Sequence, residues 1–212
     1  MKIETYSLLL TERLRPTQLD QVILPASTLS TVDAWLNAGL VPNLLLFGSP
    51  GTGKSSLARI IVKRLGAFAI RVNGSNKQDV KDVLKKLDAF CSSIAVTGEP
   101  KICVIEEADY LSKDVQAALR TVTEDYSALV RFIFTANEVE RLIPAIQSRF
   151  VKIDFDDLGD EVEALKSRLK ESLGVRLQEL GLSFQQSKLE AIVDRDFPDY
   201  RSIANALELE VN

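Results

Sequence analysis

Apolar positions along the chain recur at two periods, and the changes of period mark out its elements. Between residues 27 and 37, Leu29, Val32, Trp35 and Leu36 share one helical face, which Gly39 and Pro42 close. The stretch before it, residues 8–25, reads as extended or loosely helical and is broken at Arg15-Pro16. Asn43-Leu44-Leu45-Leu46-Phe47 is a short apolar run of the buried-strand type. Leu57, Ile60, Ile61 and Leu65 then return at helical spacing and stop at Gly66. Residues 68–73 alternate as a second strand, and Val80, Val83, Leu84, Leu87 and Phe90 predict an amphipathic helix. After the turn Thr97-Gly98-Glu99-Pro100, residues 101–105 predict a third strand, apolar on both faces as in a buried parallel sheet. Ser112 caps a predicted helix carrying Val115, Ala118, Leu119 and Val122, and residues 129–135 and 150–155 predict the fourth and fifth strands.

Strands alternating with helices imply right-handed crossovers, hence an α/β fold with a parallel five-stranded sheet flanked by helices. After Asp157 the strand pattern ends. Val162, Leu165, Leu169 and Leu173 predict a long helix interrupted at Gly174 and ending near Gly181. A second helix follows at about 186–193, and a third starts at Asp199. The expected organisation is an α/β domain over residues 1–156 and a small all-helical domain over 157–212.

Between the first strand and its helix stands Gly48-Ser49-Pro50-Gly51-Thr52-Gly53-Lys54-Ser55, which reads G-x-x-x-x-G-K-S. In that setting the pattern is a phosphate-binding loop. Glycines let the backbone wrap phosphates with its N–H groups inward, at a helix N-terminus that favours anions. Lys54 is expected to reach the terminal phosphates of a nucleoside triphosphate and the Ser55 hydroxyl to bind Mg²⁺. Such a loop needs acids at a neighbouring strand end, and the third strand ends in Glu106-Glu107-Ala108-Asp109. Glu106 is expected to serve the metal and Glu107 the attacking water. The fourth strand ends in Thr135-Ala136-Asn137, where Asn137 is either a turn former or a ligand of the terminal phosphate or water.

Composition removes other chemistries. The chain is 46% apolar and 26% charged, the shares of a soluble globular protein, with no apolar run near the ~20 residues of a membrane span. No secretory leader pattern opens it, and the cytoplasm is the expected compartment. Histidine is absent, so histidine triads, bases and metal ligands are excluded. Cys91 and Cys103 lack metal-ligand spacing and read as buried thiols in a reducing compartment. The net charge is −4, and residues 157–212, with 7 basic and 12 acidic side chains, hold the acidic excess. No basic stripe is present, so DNA contact would come from a few residues pooled across several subunits.

With the loop, acids and Asn137 in place, nearly the whole chain resembles the ATPase subunit of a sliding-clamp loader, in the AAA+ superfamily. It is similar to replication factor C small subunits and, more closely, to those of T-even-type phages. Glu12-Arg13-Leu14-Arg15-Pro16 resembles the family's E-K-Y-R-P element against the adenine, with Leu14 where the family has tyrosine. The resemblance adds Ser56, Arg15, Val22 and Ile23 to the ATP-binding set. Val72-Asn73-Gly74-Ser75 resembles a turn whose Asn73 engages the catalytic glutamate. Gln147-Ser148-Arg149-Phe150 resembles the S-R-C element, which makes Arg149 a catalytic arginine acting in trans on a neighbour's ATP; its residues alone favour a surface arginine, and the resemblance reverses that reading. Phe197-Pro198-Asp199-Tyr200-Arg201 resembles the lid sensor, with Arg201 as a phosphate ligand in cis or a partner of Asp199. Lys77, Lys81 and Lys113 match positions lining the family's DNA channel, and Gln116 and Arg120 match a coupling element between DNA and the adjacent site.

The implied function is an ATP hydrolase that uses ATP and Mg²⁺ to open a sliding clamp and load it on primer–template DNA. Its partners would be other clamp-loader subunits in a ring, pentameric at full length, with no membrane. The alternatives are a nucleotide-switched interaction module and another replication ATPase such as a helicase loader. Glu106, where the family has aspartate, keeps the charge but lengthens the reach and is expected to slow hydrolysis. Asn212 follows directly on the lid without a collar domain, so the chain is expected to be a truncated or minimal form, mostly monomeric and weakly active alone.

Overall fold

Five short apolar segments pair in parallel: β1 (Leu44–Phe47), β2 (Phe68–Asn73), β3 (Lys101–Glu106), β4 (Val130–Ala136) and β5 (Val151–Asp154), in the order β2-β3-β4-β1-β5. The computed structural model describes residues 9–76, 80–93 and 98–211, without the side chains of residues 80–82. Side chains in a strand alternate between faces, and the burial follows that period. Leu44, Leu46, Ile102, Val104 and Ile133 pack with helices α2 (Ala26–Asn37) and α3 (Lys54–Arg64) on one face. Leu45, Cys103, Ile105, Phe132 and Phe134 pack with α4 (Val80–Ser92), α5 (Lys113–Asp125) and α6 (Pro144–Gln147) on the other. Central β3 and β4 are buried almost throughout, while β2 and β5 carry exposed residues, as edge strands do.

The remaining helices, α7 (Val162–Glu179), α8 (Gln186–Asp196) and α9 (Tyr200–Glu208), form the helical lid region with a core of their own. Leu10 of the N-terminal turn α1 (Leu10–Arg13) and its C-cap Leu14, with Ile23, join that core rather than the sheet. Polar side chains fasten them. Arg176 of α7 donates to the carbonyls of Arg13 (3.1 Å), Arg15 (2.9 Å) and Leu14, and Arg168 to those of Val22 (2.9 Å) and Leu24 (3.1 Å). A charged fork satisfying carbonyls beyond a helical turn replaces water there without leaving an acceptor bare.

The expected break at Gly174 does not occur. The helix runs from Val162 through Gly174 to Glu179 because the glycine faces Phe184, which fills the space beside it at 3.7 Å from a Cβ position. Glycine costs about 1 kcal/mol in a helix interior, less than the apolar contacts on either side contribute. Cys91 and Cys103 are both free and buried, and burial pushes the Cys91 thiol up to about 11 and the Cys103 thiol well above its usual value, which keeps both protonated. No helix among the described residues is long and apolar enough to cross a membrane.

Candidate nucleotide site

A cleft of about 370 Å³ opens at the C-terminal edge of the sheet, lined from the loop after β1, the ends of β3 and β4, the first turn of α9 and residues 9–16. Strand register makes it. Phe47 pairs with Ala136, so Gly48 and Asn137 leave adjacent strands at one level, and Ile105 pairs with Phe134, which sets Glu106 and Glu107 beside Thr135 and Ala136. In open α/β sheets the crevice beyond the strand carboxyl ends is where ligands bind.

Pro50, Gly51, Gly53, Lys54, Ser55 and Ser56 line the cleft, while Gly48, Ser49 and Thr52 form the loop's stem. Thr52 is buried and its hydroxyl donates to Ser49 O at 2.8 Å. Lys54 Nζ donates to the carbonyls of Gly48 (2.6 Å) and Ser49 (2.7 Å), so the ammonium holds the loop open-handed. Burial lowers its pKa to about 8, against the attraction of Asp156 and Asp109. Two carboxylates, Asp156 and Asp199, grip the loop from outside. Asp156 accepts from Ser49 N–H (2.9 and 3.0 Å) and Ser49 Oγ (3.1 Å). Asp199 caps α9 by accepting from Arg201 N–H and Ser202 N–H, both at 3.0 Å, and lies so close to Gly51 that a Cβ there would collide with it. Gly51, at φ 83°, is therefore needed twice, for its backbone angle and for its missing side chain.

The acids divide. Glu107 lines the cleft in a left-handed conformation, φ 56°, with its N–H donating to Thr135 Oγ1 at 3.1 Å. That backbone is uncommon for a residue with a side chain, and it turns the carboxylate toward the loop. Glu106 does not line the cleft. Its Oε1 is buried with no hydrogen-bond partner among the described residues, a costly arrangement that a cation or ordered water would relieve. Asn137 and Thr135 complete this wall.

Arg201, Tyr200 and Asn205 bring α9 to the cleft, facing Arg15 and Pro16. Arg15 Nε donates to Glu12 Oε2 at 3.0 Å, and that bond holds the Glu12 carboxyl below the usual range. Asp199 meets the backbone N–H of Arg201, as a helix cap, where the sequence offered an ion pair. Val22 and Ile23, expected against the nucleotide, are instead buried in the sheet-side core and the lid core respectively, and neither lines the cleft. Leu14 likewise packs wholly inside the lid core, and the aromatic ring on the cleft wall comes from Tyr200. Tyr200 OH donates to Leu14 O at 2.5 Å, and burial pushes that phenol up to about 12.

The residues assigned to longer-range roles lie elsewhere. Arg149 is at the surface, outside the cleft lining, with Nε on Glu124 Oε1 (2.5 Å) and a second nitrogen on Ala145 O (2.6 Å). Asn73 accepts from Ser75 N–H and Oγ, both at 2.8 Å, closing a turn on itself rather than meeting Glu107. The link between that turn and the glutamate is backbone: Gly74 N–H donates to Glu106 O at 2.7 Å, and a Cβ on Gly74 would collide with Glu107 O. Gln116 is buried and fully used, donating to Leu111 O (2.9 Å) and Arg141 O (3.2 Å) and accepting from Ile143 N–H (2.8 Å). Arg120 is exposed on the same helix. Lys113 opens α5 and its Nζ donates to Arg141 O. Lys81 lies on α4, and its side chain, like the whole of Lys77, falls outside the described residues.

Residues 44–157, more than half of the chain, match the ATPase family associated with various cellular activities (AAA), and the chain belongs to that family. It is an ATP-binding ATP hydrolase with the five-stranded P-loop architecture of its kind. It is 33% identical over 203 residues to the replication factor C small subunit of Archaeoglobus fulgidus, and 30% over 204 to the sliding-clamp-loader large subunit of Escherichia phage RB69. These matches cover 93% and 94% of this chain but 62% and 63% of the relatives' own length, and at such similar identities they single out neither branch. Among solved structures, the Thermotoga maritima RuvB Holliday junction branch migration motor superposes with a TM-score of 0.71 at 21% identity, over 91% of this chain and 63% of that one, which is a likeness of fold.

Proposed function

We propose that this chain is the ATPase module of a sliding-clamp loader, with ATP binding and hydrolysis driving ring closure on a clamp and primer–template DNA, followed by release. The observation that carries the reading is a division of the catalytic set. Lys54, Glu107, Asn137 and Arg201 converge on one cleft, whereas Arg149 is held on the surface away from it. A catalytic arginine outside its own cleft serves a second copy or a related subunit, and the family relatives named above include clamp loaders.

ATP occupies the cleft, and Ser55 with Glu106 would hold Mg²⁺. Bound there, the ion would neutralise phosphate charge. Lys54 leaves the loop carbonyls for the terminal phosphates, and Arg201 adds charge from the lid. Glu107 takes a proton from the attacking water, which Asn137 orients, while Arg149 of a neighbour completes charge stabilisation. The lid begins at residue 157, and Lys77, Lys81 and Lys113 contribute to DNA contact, with Asn73, Gln116 and Arg120 in coupling.

The test is ATPase activity with a sliding clamp, primed DNA and companion subunits, and Glu107→Gln as control. Stimulation by clamp and DNA, lost in Glu107→Gln with ATP binding kept, is expected. Glu106, outside the cleft lining, favours a second reading, a nucleotide-switched module with little hydrolysis; equal single-turnover rates for the wild type and Glu107→Gln would select it.

A further inference from the structure

The turn after β3 holds a carboxylate that none of these steps uses. Asp109 is 5% exposed, two residues beyond Glu107. Its Oδ2 accepts from the backbone N–H groups of Asn137 and Glu138, each at 3.2 Å. Its Oδ1 is also buried and has no hydrogen-bond partner among the described residues. Burying a carboxylate with one bare oxygen is unfavourable, so a compensating gain is required.

The two N–H groups identify that gain. They belong to the peptides that leave β4 at the level of the phosphate loop, and their direction sets where the Asn137 side chain enters the cleft. A reciprocal bond runs the other way, from Glu107 N–H to Thr135 Oγ1 at 3.1 Å. Each strand end thus lends a side chain to the backbone of the other, and the groups facing a terminal phosphate are tied into one unit.

We propose that Asp109 is a positioning residue for Asn137, holding its amide where it meets the terminal phosphate and coupling it to Glu107. The inference rests on the ATP cleft alone and is independent of clamp loading. Its role is geometric. An asparagine at 109 keeps one oxygen for both N–H groups and sets its NH₂ where the bare oxygen stood, so Asp109→Asn is expected to preserve the arrangement and Asp109→Ala to lose it.

The experiment is equilibrium binding of a non-hydrolysable ATP analogue and of ADP to the full chain. Asn137 touches a group that only the triphosphate has, so Asp109→Ala should reduce the triphosphate-to-diphosphate affinity ratio about tenfold, the loss of one hydrogen bond to a charged group. Asp109→Asn should stay near wild type, and Asn137→Ala should match Asp109→Ala, with no further loss when the two are combined. An unchanged ratio in Asp109→Ala, additive losses in the double variant, or a wild-type ratio near one would each overturn the proposal. Should Asp109→Ala not fold, amide hydrogen exchange on the wild type decides. Exchange at 107, 137 and 138 slowing together with the triphosphate analogue but not with ADP supports it, and independent or unchanged exchange overturns it.

Discussion

Lys54 shows how much one side chain's surroundings decide. It is buried, its ammonium rests on two loop carbonyls, and its pKa falls from 10.5 to about 8. A triphosphate binds the ammonium form. Affinity is therefore full below the folded pKa and declines as pH rises through about 8, by up to about tenfold per unit, until the pKa in the complex is passed. Titrating the affinity for a non-hydrolysable ATP analogue from about pH 7 to about pH 10 should show that fall, and Lys54→Met should flatten it at a weaker level. The shift has a second consequence of opposite sign. Between about 8 and 10.5 the unfolded chain binds more protons than the folded one, so stability gains with pH across that window. The motif made Lys54 legible in advance. Asp156 was not legible, because its bond to Ser49 spans 107 residues and nothing local marks it.

Among the elements, α7 and α9 differ most from a local reading. Gly174 looked like an interruption and is an interior helical position beside Phe184. A Cβ there meets its nearest neighbour at 3.7 Å, an ordinary contact, so Gly174→Ala should stabilise the protein by about 0.5–1 kcal/mol, read as a higher denaturant midpoint at unchanged slope. At α9, Arg201 stands in the first turn, where the helix dipole disfavours a cation. The Asp199 cap offsets this and packs the helix end on Gly51. Asp199→Ala should lower stability by about 1 kcal/mol in thermal unfolding and weaken nucleotide binding, since the cap and the loop contact are lost together.

At the scale of the whole molecule, the arginine proposed to act in catalysis, Arg149, lies outside the chain's own cleft. Arg149 is tied to Glu124 and Ala145 O, an exposed arrangement worth about 0–1 kcal/mol that a neighbour's phosphates can outcompete. If it works across an interface, turnover per chain should rise with protein concentration. A mixture of Arg149→Ala, which keeps a sound cleft, and Lys54→Ala, which keeps the arginine, should hydrolyse ATP faster than either variant alone. Single-chain turnover that ignores concentration, with no complementation, would remove Arg149 from the trans role.

Periodicity and short motifs, both local properties, were enough to place the five strands, most of the helices and the phosphate loop, because apolar spacing and glycine backbone freedom act within a few residues. The N-terminal segment, the burial of Val22 and Ile23, the carboxylates at 109 and 156 and the approach of Asp199 to Gly51 were decided only when the strands took their order and α7–α9 packed on residues 9–24. Those contacts join positions far apart in the chain, and their energies depend on distance, burial and direction, none of which a linear spacing encodes. So a nucleoside triphosphate site was written in the sequence, while the groups that hold its loop and orient its acids exist only in the folded molecule.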